Sequence, residues 1–225
     1  MDGDLNNSIL FSARLSLQVA WVATAFIIVT GVPVAYFLAR KDFKGKELID
    51  IIFTLPLVLP PTVTGYYLIV IFGRNGLIGK MIYDRTGFTI MFTWYAAVLA
   101  SFVVALPLMV KTARAAIESV DRNLINASYT LGHGEIETAL RVILPLAKKG
   151  IIAGIVLSFA RAMGEFGATL MLAGNIPGKT DTMPLAIYSL AISDEWTQAH
   201  TMVILLTIMS GLFLYIANIY TKRSI

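Results

Sequence analysis

Apolar residues run along this chain in five long blocks, at about 15–39, 48–72, 88–110, 150–173 and 201–220. Crossing roughly 30 Å of hydrocarbon takes about 20 helical residues, and each block meets that length. Polar and charged residues collect in the segments between them, 40–47, 73–87, 111–149 and 174–200. The pattern predicts an all-α integral membrane protein. Residues 1–225 form a single transmembrane domain with about five spanning helices.

Composition sharpens this reading. Of the 225 residues, 57% are hydrophobic and 14% charged, where a soluble domain is about a quarter charged. Cysteine is absent, which removes disulfides, thiolate metal sites and cysteine nucleophiles together. The two histidines, His133 and His200, lie far apart in sequence, so neither a metal site nor a bound cofactor is expected. The opening MDGDLNNSILFS is acidic and polar rather than basic, and no cleavable signal peptide is expected.

The distribution of charge orients the spans. Segments 40–47, 111–149 and the tail after 220 carry four, six and two lysines or arginines, twelve in all. The opposite side carries five (Arg14, Arg74, Lys80, Arg85 and Lys179), and Arg161 lies inside a span. Basic loops stay in the cytoplasm, which puts the N-terminus outside and the C-terminus inside.

Segment 111–149 is too long to be a mere connector. Within DRNLINASYTLGHGEIETALRVILPLAKK, residues Leu124, Ala127, Ser128 and Leu131 recur at helical spacing as a narrow face of small and apolar side chains. Gly132 and Gly134 then stop the helix and permit a sharp turn. A second short helix is expected to end near Pro145, because the residue before a proline resists helical geometry. Periodicity alone leaves two readings level: a helix offered to another protein's groove, or a hairpin packed on its own membrane domain.

Membrane subunits of bacterial ABC importers carry a cytoplasmic signature, E-A-A, three residues, Gly, nine residues, I-x-L-P. Here Asn126-Ala127-Ser128, Gly132 and Val142-Ile143-Leu144-Pro145 stand in that register, with Asn for Glu, Ser for the second Ala and Val for Ile. The chain therefore resembles that family. LPLVLPPTVTGYYL (55–68) and FARAMGEFGATLMLAGNIPGKTDTMPLAIY (159–188) extend the resemblance over almost the whole chain, to the molybdate permease branch of binding-protein-dependent transport. Sulfate permeases are similar in their GEFGA and AGN-type segments.

The resemblance implies a type I ABC importer transmembrane domain with a cytoplasmic coupling helix, in the inner or plasma membrane of a bacterial or archaeal cell. It implies ATPase-coupling roles for Asn126, Ala127, Ser128, Leu131, Gly132, Val142, Leu144 and Pro145. The partners implied are two cytoplasmic ABC ATPase subunits, which hydrolyse the ATP, an extracytoplasmic oxyanion-binding protein and membrane lipid, with no nucleic acid. Five spans enclose a wide pathway poorly, so a homodimer is expected. The cargo implied is molybdate, with tungstate, sulfate or thiosulfate as alternatives.

Other residues are candidates for the pathway itself. Pro56, Pro60 and Pro61 remove backbone donors within one span, and broken spans commonly present backbone groups to an ion near the midplane. Thr62 and Thr64 add hydroxyls there. A kinked packing helix is the alternative, and pathway lining is the favoured reading. Arg161 and Glu165 stand one turn apart in the fourth block, where charges should face the bundle interior. Mutual neutralisation is favoured over a direct role in passing an oxyanion. In the outer segment 174–200, Asn175, Lys179, Asp181, Asp194 and Glu195 are candidates for docking a binding protein, with a solvated loop as the alternative.

One motif points elsewhere. Ala173, four residues and then Gly178-Lys179-Thr180 fit a loose phosphate-binding loop. Such a loop needs a buried strand before it and a helix N-terminus after it, whereas here a membrane helix precedes it and Pro177 interrupts it. The match is read as accidental. An intramembrane enzyme is the different-class alternative, but Ser158 has no histidine in its span.

Overall fold

The computed structural model describes residues 2–223, with the side chains of residues 7–217 and of Ile219. Lys222 and Arg223, counted above in the basic tail, lie outside those described side chains. Helix α1 (Asp2–Arg40) carries the first apolar block. The second block is divided between α2 (Lys46–Val58) and α3 (Pro61–Phe72), which meet at a bend of 119°. After α4 (Gly79–Thr86), a short helix on the segment expected to be an outer loop, the chain crosses back through α5 (Trp94–Glu118). The hairpin segment holds α6 (Arg122–Thr130), α7 (Glu135–Thr138) and a π turn (Ala139–Ile143) that leads into α8 (Leu144–Met163). Helices α9 (Gly167–Ala173), α10 (Met183–Ile192) and α11 (Trp196–Arg223) complete the chain, and no strand occurs among the described residues.

Among the described residues, four helices are long and apolar enough to cross a membrane alone: Asn7–Arg40, Trp94–Glu118, Glu135–Met163 and Trp196–Ala217. The bent pair α2–α3 is apolar enough when taken together to count as a fifth candidate span. Its Asp50 pairs with Lys111 at 2.7 Å and Arg114 at 3.1 Å in the C-terminal part of α5, while Phe72 shares a cavity wall with Tyr95 and Phe102 near the start of α5. The pair thus climbs from one end of α5 to the other. The bend has a local cause. Pro60 and Pro61 supply no N–H, and Leu59 takes the extended conformation favoured before proline (φ −69, ψ 143). Pro61 then opens α3 in its first turn, where the missing donor is not needed.

Packing around α5 relies on small residues. Ala96, Ala97, Ala100 and Ala105 of α5 are fully buried in one core with Ala20, Ala23 and Ile27 of α1 and Phe159 and Ala162 of α8. Helices in lipid associate by close backbone approach rather than by expelling water; a Cβ added at Gly154 would come within 2.8 Å of Met109 Sδ. Two hydroxyls cross the α5–α8 interface: Ser101 Oγ donates to the Ala162 carbonyl and Ser158 Oγ to the Ala105 carbonyl, both at 3.3 Å. Ser158 therefore serves the fold, with its proton engaged by a main-chain oxygen.

The fourth apolar block, expected to run unbroken from 150 to 173, is interrupted at Gly164–Phe166 between α8 and α9. That break meets the break in the second block. A Cβ at Gly167 would lie 2.8 Å from Pro61 Cβ, and one at Gly65 would lie 2.7 Å from Met171 Cβ and 3.0 Å from Ala168 Cα. Helices α3 and α9 touch at backbone distance only because both positions lack a side chain. Replacing Gly65 with Ala must push them apart, at a cost of about 1–3 kcal/mol typical of overpacking. Thermal unfolding of the detergent-solubilised protein should show a clear fall in Tm, and an unchanged Tm would contradict this packing.

Candidate functional site

The polar hairpin between α5 and α8 is built as a rigid unit. Asp121 caps α6, its Oδ1 accepting from the Asn123 N–H at 2.8 Å. At the other end the His133 N–H donates to the Ser128 carbonyl (3.2 Å) and the Gly132 N–H to the Tyr129 carbonyl (3.0 Å). This paired closure puts the residue after the cap in the left-handed region, and Gly132 has φ +88°. Ile125 is buried with Ala113, Ile117, Ile143 and Ala147 in a small apolar core. Ser128 is buried too, its Oγ 2.9 Å from Thr138 Oγ1 and 3.2 Å from His133 Nδ1. Ser128, grouped by periodicity with Leu124, Ala127 and Leu131, thus sits at the buried floor of that face and ties α6 to α7. Leu124, Ala127 and Leu131 form the outward face, with Leu131 78% exposed.

Pro145 does not end the second helix. Residues Glu135–Met163 form one continuous helix from the hairpin into the membrane. Proline cannot donate to the carbonyl four residues back and its ring crowds that carbonyl. The π turn widens the helix just before it, with the Leu144 N–H bonding to the Ala139 carbonyl five residues back. Such single widened turns absorb an extra residue and recur at functional sites.

This geometry brings the two halves of the 126–145 motif together. Ala127, Ser128, Leu131, Val142 and Pro145 line one groove of about 390 Å³, with Leu124, His133, Arg141 and Leu146 completing its wall. Asn126 is exposed on the same helix and Gly132 forms the corner. Leu144 faces the other way and lines a separate cavity with Val32, Pro33 and Tyr36 of α1. Ion pairs fix this end of the bundle: Lys41 with Glu135 at 2.8 Å, Arg141 with Glu137 at 3.1 Å, and Arg114 with Glu118 at 2.7 Å.

At the helix breaks, Glu165 has two engagements. Arg161 Nη1 lies 2.7 Å from one carboxylate oxygen, and the other accepts from the Ala168 N–H at 2.8 Å. One carboxylate therefore offsets the charge a turn behind it and satisfies the backbone of the helix ahead. Glu165 is 3% exposed, whereas the Arg161 side chain retains 30% of its surface. Of the proline-rich stretch, Thr64 is buried, Pro60, Pro61 and Thr62 are exposed at the bend, and Pro56 lies within α2. The bend and the Arg161–Glu165 pair belong to one neighbourhood through the Gly167–Pro61 contact.

The phosphate-loop pattern folds on itself. The N–H groups of Lys179 and Thr180 both donate to the Ile176 carbonyl at 3.0 Å. Thr180 Oγ1 accepts from the Ile176 N–H at 3.0 Å and donates to the Gly174 carbonyl at 3.3 Å, and Thr180 is fully buried. A phosphate cradle needs such N–H groups free and aimed at the ligand. Here they are spent, and the threonine fills the centre of the turn. The same segment is strapped to α1: Ser12 Oγ donates to Asp181 Oδ2 at 3.2 Å, and Ser16 Oγ accepts from the Met183 N–H at 2.8 Å.

Burial raises the Asp181 pKa above its ordinary value, and the Ser12 hydrogen bond only partly opposes this. A carboxyl whose folded pKa lies above its unfolded one stabilises the fold fully below the unfolded pKa and loses that contribution as pH rises through the folded pKa. Asp181→Asn should therefore raise the Tm near neutral pH and flatten the gain in Tm seen on mild acidification. Thermal melts across that pH range check this, and a parallel pH profile in wild type and variant would contradict it.

Comparison with known proteins follows the same lines. Residues 31–224 match the family described as binding-protein-dependent transport system inner membrane component. The molybdenum transport system permease protein ModB of Escherichia coli (strain K12) is 49% identical over 176 residues, covering 78% of this chain and 77% of its own. The putative molybdenum transport system permease protein YvgM of Bacillus subtilis is 43% identical over 201 residues, covering 89% and 88%. Among solved structures, the inward-facing MetNI methionine ABC transporter superposes over 100% of both chains with a TM-score of 0.78 at 18% identity. A bacterial ABC transporter that imports alginate gives a TM-score of 0.77 at 14% identity, over 96% of this chain and 79% of its own. The fold is that of a type I ABC importer transmembrane domain, and the chain belongs to the binding-protein-dependent transport family as a permease subunit.

Proposed function

We propose that this chain is the membrane-spanning subunit of an ATP-driven importer that passes molybdate into the cytoplasm. The observation that carries the reading is the groove on the α6–α7 hairpin, where both halves of the 126–145 motif converge. Leu124, Leu131 and Leu146 are exposed together around this groove, and an apolar patch of that kind outside the membrane fits a protein interface. Their partner is a separate ATPase subunit, which hydrolyses ATP and grips the hairpin. Because Glu135–Met163 is one helix, a displacement at the hairpin reaches the break at Gly164 without an intervening loop.

Basic residues concentrate at the hairpin end of the bundle, which supports a cytoplasmic hairpin and an external N-terminus. Apolar side chains on α2, α3 and α11 remain exposed, among them Ile51, Leu55, Tyr66, Ile204 and Leu212. A second copy covers part of this surface and closes the pathway as a homodimer. The route runs past the two helix breaks, with Pro56, Pro60, Pro61, Thr62 and Thr64 on one side and Arg161 held by Glu165 on the other. An extracytoplasmic oxyanion-binding protein delivers cargo to segment 174–200. Molybdate is assigned from the names of relatives 49% and 43% identical to this chain.

Gly132 offers a test. Its φ of +88° is closed to β-branched residues, so Gly132→Val must distort the hairpin while leaving the spans intact. ATP-driven molybdate uptake in cells expressing the complete system should be abolished with membrane insertion unchanged. Normal uptake by this variant would overturn the docking role.

A further inference from the structure

At the end of the bundle far from the α6–α7 hairpin, a groove of about 570 Å³ opens between α1, α3 and α5. Its walls include Phe26, Phe72, Phe88, Tyr95, Leu99 and Phe102, and its size is that of a small-molecule site. Nothing in the transport reading uses it. Beside it runs segment 73–87 with α4, which joins exposed apolar side chains to exposed cations. Leu77 and Met81 are 75% and 56% exposed, and Lys80 and Arg85 are exposed with no ion pair among the described residues. Arg74 is held in place by Tyr83, its guanidinium 4.2 Å from the ring centroid and donating to the hydroxyl at 2.6 Å. Segment 73–87 carries three basic residues against the single acid Asp84.

Segment 73–87 sets large exposed apolar side chains beside unpaired cations, the combination that favours the boundary between acyl chains and headgroups. Phe72 precedes Arg74 by two residues and Phe88 follows Arg85 by three, so the aromatic groove begins where the cations end. Charge next to a long apolar slot is the complement of a phospholipid with an anionic headgroup. We propose that the groove and α4 together bind one anionic phospholipid from the leaflet opposite the hairpin. An acyl chain lies along Phe26, Tyr95 and Phe102, and the headgroup phosphate sits on Lys80 and Arg85, with Arg74 alongside. This site rests on the membrane fold alone and is independent of the cargo.

The test is native mass spectrometry of the intact, delipidated transporter complex titrated with phosphatidylglycerol or with phosphatidylcholine of identical chains. Phosphatidylglycerol should load onto this subunit at several-fold lower concentration. Lys80→Gln with Arg85→Gln should erase that preference and leave phosphatidylcholine binding as it was. Leu99→Trp, which fills the slot, should lower the binding of both lipids. Equal binding of the two lipids by the unmodified complex, or a preference that survives the charge substitutions, would overturn the proposal. So would undiminished binding to Leu99→Trp, or cross-linking of the groove to a second copy of this chain. Should Leu99→Trp fail to assemble, the two exposed charge substitutions decide the question alone.

Discussion

Inside the hydrocarbon of a bilayer a main-chain N–H or C=O has no water to turn to, so every interruption of a spanning helix must be covered by protein or open onto a water-filled cavity. The described residues contain two such interruptions, at Leu59–Pro60 and at Gly164–Phe166, and the two meet at the Pro61–Gly167 contact. Pro61 opens α3 directly against Gly167, which opens α9, and Gly65 lets α9 lie on α3 with no side chain between them. Glu165 completes the seal by accepting from the Ala168 N–H while holding Arg161. The GEFGA stretch thus reads as local physics: a glycine to end one helix, a carboxylate to cap the next, and a glycine to admit a neighbour.

The same economy links the membrane to the hairpin. A proline nineteen residues before the second break would ordinarily stop or kink a helix, but the π turn carries the helix past Pro145 without losing continuity. The hairpin is locked by the buried Ser128–Thr138–His133 contacts and by Ile125 in its own small core. One stiff element therefore joins an exposed groove at one end to the broken, closely packed centre at the other. Under the proposed function, this element is the connection through which energy released in another polypeptide reaches the pathway.

Much of this was legible in the sequence, because hydropathy blocks and basic loops respond to the membrane rather than to tertiary detail. The spacing of Asn126, Gly132 and Pro145 located the hairpin. What periodicity missed was direction: Leu124, Ala127, Ser128 and Leu131 fall within one arc of a helix, and only the position of Thr138 and His133 decides that Ser128 turns inward. The π turn was hidden for a related reason. A proline in a helical pattern marks strain, and whether the helix breaks or widens depends on what packs around it. The break at Gly164 was signalled by two glycines flanking a carboxylate, a pattern that also fits simple close packing. In the GKT stretch the pattern matched a nucleotide loop, while the fold buries Thr180 in the space a phosphate would need.

The most direct test of the account places a reporter on the hairpin's outward face. The chain contains no cysteine, so Leu131→Cys gives a unique thiol in this subunit. In an actively transporting assembly, a short thiol-directed cross-linker should join it to the ATPase subunit, with a yield that changes on ATP binding. A membrane-impermeant maleimide applied outside intact spheroplasts should leave it unlabelled. Labelling from outside, or no cross-link in a complex that is demonstrably pumping, would contradict the claim that this groove is where the driving force enters.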